Sequence, residues 1–293
     1  MQPKLTVLIP SLGRKSIVEI LRKISSEDYT SVIVMAHGKN AYAKIKELDI
    51  PSSAKVINCD ENLSLSELCN IGLENVDTEY FAFFSDDDIW IEGKRAKLVK
   101  VLEENFAFDV VIGSTIEVNG KKTRKRPKDL LENNQGIFEY LYGKPIMFTN
   151  NRYVGLQDAL FRNGVYPKFR PGLNVYEDVI WLADAQRMGH RVKCLDEIVS
   201  KKYPSMERSN ERQNVNSVLD MYSEIANSSQ NAAVNYLKFH SIRAAIATGD
   251  LRTYKSIVQE RVRLIGISIG DSIIIPLQIL TLSLFFIRNS MKL

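Results

Sequence analysis

Up to Lys202 the chain alternates short apolar runs with stretches whose apolar residues recur every three or four positions. Leu5–Ile9 reads as a strand that ends at Pro10. Ser16–Ile24 follows with Ile17, Ile20, Leu21 and Ile24 on one helical face. Val32–Met35 and Lys55–Asn58 read as further strands, with a short helix over Ala41–Leu48 between them. Leu65–Leu73 is helical in pattern, with Ser64 as its N-cap and Glu67 three residues on to complete a capping box. Tyr80–Phe84 is almost wholly apolar, the mark of a strand buried on both faces. Repeated strand–helix units of this kind predict an α/β architecture, a mostly parallel sheet flanked by helices. Such sheets bind ligands beyond the carboxyl ends of their strands, so whatever follows Phe84 is expected at the functional edge.

Past that point the pattern predicts a helix near Lys94–Glu104, a strand at Val110–Ile116 and a basic loop. An irregular stretch over 143–176 comes next, rich in Gly, Pro, Asn and Tyr. A helix at Asp178–Met188 and strand-like pieces at Arg191–Leu195 and Ile198–Lys202 complete this region. From about residue 207 only helical periodicity remains. The expected division is therefore a sheet domain over 1–206 and a C-terminal helical extension over 207–293.

Composition narrows the class. Hydrophobic residues make up 45% and charged residues 25%, which excludes wholesale disorder. Cys59, Cys69 and Cys194 are too few and too scattered for a disulfide framework or a zinc site, as in a reducing compartment. The apolar run Leu5–Ile9 is too short for a signal peptide, so a cytoplasmic location is expected. The net charge is +4, yet Lys121–Lys128 alone carries six cations. Without that run the remainder is 4 − 6 = −2, and no aromatic residues interleave it, so nucleic acid is not an expected partner. The run reads as a solvated loop or as a contact for anionic headgroups or a lipid diphosphate.

Ser85-Asp86-Asp87-Asp88 stands directly after the buried strand. Three adjacent carboxylates repel one another, and their oxygens suit Mg²⁺ or Mn²⁺. A solvated acidic turn capping the next helix is the plain alternative. In an extended segment Asp86 and Asp88 point to one side and Asp87 to the other.

The segments Asn62-Leu63-Ser64, Cys69-Asn70-Ile71-Gly72-Leu73 and Glu79 to Trp90 resemble the family 2 glycosyltransferases of the Rossmann-like GT-A fold. So does Val7-Leu8-Ile9-Pro10-Ser11, a first strand running into a Pro-containing loop. Further on, Tyr176-Glu177-Asp178 opens a helix that ends at Gly189-His190, as the family's Glu-Asp helix does. The resemblance spans residues 4–203. It implies an inverting transfer from a nucleotide-sugar donor to a hydroxyl of a glycan or lipid-linked acceptor, in envelope polysaccharide synthesis. Asp86, Asp87 and Asp88 would hold the divalent cation on the donor diphosphate, and Asp178 would be the general base. Pro10, Ser11, Arg14, His37, Asn62, Asn70 and Asp86 would line the donor site.

Four sites depart from the family pattern, and one is Ser64, which replaces Gly in the 62–64 loop. Ser85 stands where an acid is frequent, Ala36-His37-Gly38 replaces an acidic turn that contacts the base, and Tyr203 to Glu207 lacks a metal-binding His. Two other classes remain in view. A sugar nucleotidyltransferase would want a Gly-rich loop after the first strand, and Pro10 to Arg14 has one Gly. A catalytically inactive binding module would keep the fold without the chemistry.

The segment Leu264–Ile287 holds 24 residues and one charge, Asp271. Its uncharged part, Ser272–Ile287, reaches ~24 Å as a helix against a hydrocarbon core of ~30 Å. The expectation is a tail that binds the membrane's inner face peripherally or pairs subunits into a homo-oligomer, with a true span as the third case.

Overall fold

The computed structural model describes residues 4–145, 151–173, 175–203, 215–241 and 251–266. The described residues contain a nine-stranded sheet in the order β3-β2-β1-β4-β8-β6-β9-β5, with β7 paired to β6. The strands are β1 (Leu5–Ser11), β2 (Thr30–Ala36), β3 (Ala54–Asn58), β4 (Tyr80–Phe83), β5 (Ile89–Trp90), β6 (Val110–Asn119), β7 (Lys122–Arg126), β8 (Ala159–Arg162) and β9 (Val192–Lys202). Strands β1 to β4, β6 and β9 run one way, while β5, β7 and β8 oppose them. The sheet is thus mostly parallel.

The first half follows the periodicity closely. Helices α1 (Ile17–Ser25), α2 (Ala41–Lys46), α3 (Leu65–Leu73) and α4 (Lys94–Glu104) fall where the apolar faces put them. Ser64 accepts from Glu67 N and Glu67 accepts from Ser64 N, the reciprocal cap read from the sequence. Strand β4 is buried on both faces because Tyr80 and Ala82 face α1 and α4 while Phe81 and Phe83 face the other way. Phe83 meets Phe169 and Trp181 edge-on, and Phe169 stacks on Trp181 with centroids 4.6 Å apart.

Three segments differ from expectation. The basic run is no loop: β7 forms a hairpin with β6, with Glu117 opposite Arg124 and Thr115 opposite Arg126. The stretch read as irregular contains a 3₁₀ turn, Leu156–Asp158, and the strand β8. Strand β8 inserts antiparallel between β4 and β6. The two pieces near the end of the sheet domain are one strand, β9, whose register slips near Ser114 of β6.

The chain divides into two compact units, one of residues 1–137 with 151–208, the other of 138–150 with 209–293. In the second, α5 (Ile137–Tyr142) leads in, followed by α7 (Val215–Ala226), α8 (Gln230–Asn235), a π-helical turn (Tyr236–Ser241) and α9 (Leu251–Ile265). Val218, Met221, Ile225, Leu237 and Ile257 form its interior. Ser229 caps α8 by accepting from Ala232 N and donates to Glu139. The apolar tail expected over Leu264–Ile287 lies outside the described residues beyond Gly266. No helix of the described residues is long and apolar enough to cross a membrane.

Candidate active site

The acidic turn sits at the carboxyl edge, where β1 and β4 end side by side. Asp86 is 2% exposed and fully engaged. Ser11 donates to its Oδ2 at 2.7 Å, Leu12 N at 3.3 Å, and Arg14 forms an ion pair with Oδ1. Ser16 donates to the Asp86 carbonyl at 2.7 Å, which ties the turn to the start of α1. Asp87 accepts from Ser85 and lies 4.0 Å from Arg14.

Asp88 is equally buried but differently placed. The antiparallel register of β5 on β9 pairs Ile89 with Lys201 and Trp90 with Ser200. Continued by one residue, it brings Asp88 to Lys202, whose Nζ is 4.0 Å from Oδ2. Burial is the main cause that pushes the Asp88 pKa up to about 7, against the pull of Lys202.

Asp178 comes from the start of a helix. Tyr176 adopts φ +65° and turns the chain into α6 (Glu177–Arg187). Asp178 Oδ1 accepts from Val179 N at 2.7 Å. Burial raises its pKa, while Lys202 opposes that rise, so the two lie within electrostatic reach. Trp181, one turn along, donates to Pro167 O at 2.7 Å and stacks on Phe169, which holds the helix against the sheet. Asn70 clamps the same loop, donating to Phe169 O at 2.9 Å and accepting from Phe169 N at 2.7 Å.

The other expected donor-site residues fall as follows. Pro10 pairs in register with Met35, beside Ser11. His37 N donates to Ser11 O at 3.0 Å, and its imidazole pKa is lowered by burial although Asp86 opposes the shift. Asn62 is exposed and turned onto Asp60, with its N and Nδ2 at 2.8 and 3.1 Å from Oδ1.

A buried polar layer beneath the site was not legible in the residue pattern. Asp158 is 0% exposed, accepts from Ser200, and has its pKa raised by burial. Ser200 Oγ lies 2.8 Å from Thr115 Oγ1. Tyr153 feels the charges of Asp158, Asp178 and Asp88, so it stands among all three. Arg126 stacks over its ring at 4.8 Å. Arg95 is 0% exposed, donates to Val199 O at 3.1 Å and to Gln157 O, and lies 3.7 Å over Trp90. The one sequence signal for Lys202 was its place at the end of the last strand.

Among the described residues no three His, Cys, Asp or Glu side chains converge into a closed cage. The arrangement instead offers one saturated carboxylate, one under-compensated carboxylate and a third at a helix start, at the edge where α/β sheets bind their ligands.

The sequence model of glycosyl transferase family 2 matches residues 6–166, and the chain belongs to that family. It is a glycosyltransferase with the GT-A fold. Among solved structures it is similar to S. aureus TarS 1-349 in complex with UDP-GlcNAc, at 14% identity and a TM-score of 0.62. That match covers 89% of this chain and 81% of the other. It is also similar to the mannosyltransferase PcManGT from Pyrobaculum calidifontis in complex with GDP-Man and Mn²⁺, at 16% identity and a TM-score of 0.52. There 99% of this chain and 87% of the other are covered. At such identities the likeness is one of fold. No curated protein matches the chain in sequence.

Proposed function

We propose that the chain moves a glycosyl group from a nucleoside-diphosphate sugar to a hydroxyl of a glycan or lipid-linked acceptor, with inversion, and that it uses Mg²⁺ or Mn²⁺. The observation that carries this reading is the convergence of Asp88 and Asp178, 178 − 88 = 90 residues apart, on Lys202 and Tyr153. Two carboxylates that share one lysine at a ligand edge suit one cation site and one proton acceptor.

The donor set fits a hard cation. Asp88 is buried and faces Lys202 at a distance beyond hydrogen-bond length. Asp87 stands next to it, and Asp86 is committed to Arg14 and Ser11. Asp88 with Asp87 would therefore hold the metal, because Mg²⁺ and Mn²⁺ sites use one or two carboxylates and leave the rest to substrate phosphates. When bound, the cation neutralises charge on the departing diphosphate. Ser11, Arg14, Pro10 and His37 form the donor wall, with the half-buried His37 available to the base. Asn70 fixes the loop under α6 and Asn62 rims the opening. Asp178 takes the proton from the acceptor hydroxyl, and burial raises its basicity.

Residues 1–206 carry this chemistry in the proposal, and 207–293 form an accessory helical region. Two structures of similar fold were solved with UDP-GlcNAc or with GDP-Man, which supports a nucleotide-sugar donor without choosing its base. The six cations of Lys121–Lys128 and the apolar tail favour work at the inner membrane face on an envelope polysaccharide. A panel of nucleotide-sugars screened by thermal shift with Mn²⁺, then by donor hydrolysis, tests the reading. Stabilisation by one donor with slow, chelator-sensitive hydrolysis is expected. Binding without hydrolysis would favour the inactive module, and NMR of the transferred anomeric centre would decide inversion.

A further inference from the structure

Strand β9 delivers a cation into the acidic site. Lys202 stands 4.0 Å from Asp88, and its charge also favours the ionised forms of Asp158 and Asp178. Asp88 and Asp158 are almost wholly withdrawn from water. Arg95 is the second cation acting on both, yet it is spent on backbone carbonyls and on the Trp90 ring. Lys202 is differently held. Its side chain is 36% exposed, its ion pair is long, and its ammonium rides on a flexible four-carbon stem. Of the two cations, it is the one free to change partner.

We propose that Lys202 is the resident counter-ion of the acidic site, which opposes capture of a free divalent cation by Asp88 and transfers its contact to the donor diphosphate when the donor binds. This rests on the glycosyltransferase reading above and adds a residue and an order of events to it. An ammonium this close to a carboxylate repels an incoming cation by direct Coulomb interaction. Diphosphate oxygens offer that ammonium a stronger, charge-assisted partner. Movement of Lys202 toward them would bare Asp88, so cation and donor enter together and neither is held well alone. The final strand of the sheet thereby couples the two binding events.

The experiment uses the full chain and measures two affinities in each of three proteins: parent, Lys202→Met and Lys202→Arg. The first is for Mn²⁺ alone, read from the electron paramagnetic resonance signal of the free ion. The second is for UDP, GDP, ADP, CDP and dTDP in excess Mn²⁺, read by calorimetry. Lys202→Met is expected to bind Mn²⁺ about tenfold more tightly and its nucleoside diphosphate about tenfold more weakly than the parent. Lys202→Arg keeps the charge and is expected to resemble the parent in both. A merely structural lysine would shift both affinities the same way, so a joint loss, a joint gain or an unchanged Mn²⁺ affinity overturns the inference. Should the Met variant fail to fold, Lys202→Gln carries the same crossed expectation. A parent that binds none of the five diphosphates overturns the glycosyltransferase reading itself, and the inference with it. A parent that binds one of them, without the crossed effect, sinks the inference alone.

Discussion

Asp86 and Asp88 lie two residues apart and are equally withdrawn from solvent, at 2% and 4% exposure. Asp86 has a hydroxyl, a backbone N–H and a guanidinium on its two oxygens. Asp88 has an ammonium at 4.0 Å and a pKa raised to about 7. Burial alone therefore does not say what a carboxylate is for. The end of the turn that faces β1 is satisfied by the protein's own groups. The end that faces β9 leaves a buried charge under-compensated, a condition the fold tolerates where a ligand completes the site. Asp178 and Asp158, with pKa values raised by burial, stand on that second side.

The strongest way to probe the under-compensated side is Asp178→Asn, which keeps the shape and removes the proton acceptor. Transfer should fall by ~10²–10⁴ with donor affinity nearly unchanged. Steady-state transfer assays beside donor titrations check this, and parent-like turnover would remove Asp178 from the mechanism. On the satisfied side, Asp86→Ala takes the buried carboxylate away from Arg14 and Ser11 and should lower stability by about 3 kcal/mol in urea unfolding. An unchanged midpoint would mean that Asp86 is not the keystone its bonds describe.

Asp88→Asn should move stability in the opposite direction in metal-free buffer. The folded pKa of about 7 lies above the ordinary 3.8, so the group's favourable contribution is complete below the lower value and lost as pH rises through the upper one. At pH 8 the Asn variant should be more stable than the parent by roughly 4 kcal/mol, and the gap should close by pH 4. Added together with a nucleoside diphosphate, Mn²⁺ should stabilise the parent and leave the variant much less changed. Thermal melts across pH with and without Mn²⁺ would show it, and a variant less stable at pH 8 would contradict the comparison. The smallest effect is expected at the donor wall, where His37→Ala removes a half-buried ring. A loss of about 1 kcal/mol in nucleotide affinity is the scale of one stacking contact, and calorimetry can detect its absence.

Much of the first half was legible because β1, β2 and β4 carry long or wholly apolar runs and α1 has a clean apolar face. The capping box at Ser64 and Glu67 and the bounds of α3 and α4 needed no tertiary information. Strand β8 did, since Ala-Leu-Phe-Arg is four residues long among turn-formers and becomes a strand only by pairing with β4 and β6. Strand β7, Lys-Thr-Arg-Lys-Arg, has no apolar alternation and owes its conformation to the neighbouring β6. At the site, the acidic turn and the Glu-Asp helix announced themselves by position and order. Lys202, Tyr153 and Asp158 did not, because their meeting depends on strand register and on a buried layer that no local spacing encodes. The division of labour between Asp86 and Asp88 was likewise invisible, since it turns on which neighbour each carboxylate meets.

Tyr176 leads into the helix of Asp178 with φ +65°, a conformation that costs an ordinary side chain about 1–2 kcal/mol. Glycine would enter the same turn without that cost. A directed-evolution campaign that rewards heat resistance should therefore arrive early at position 176 and install Gly. One that rewards turnover should reject the same change, because a glycine there lets the backbone ahead of Asp178 wander. Paired selections on a single library would split at this codon, and the sign of the split would report whether the enzyme spends conformational tension on holding Asp178 in place.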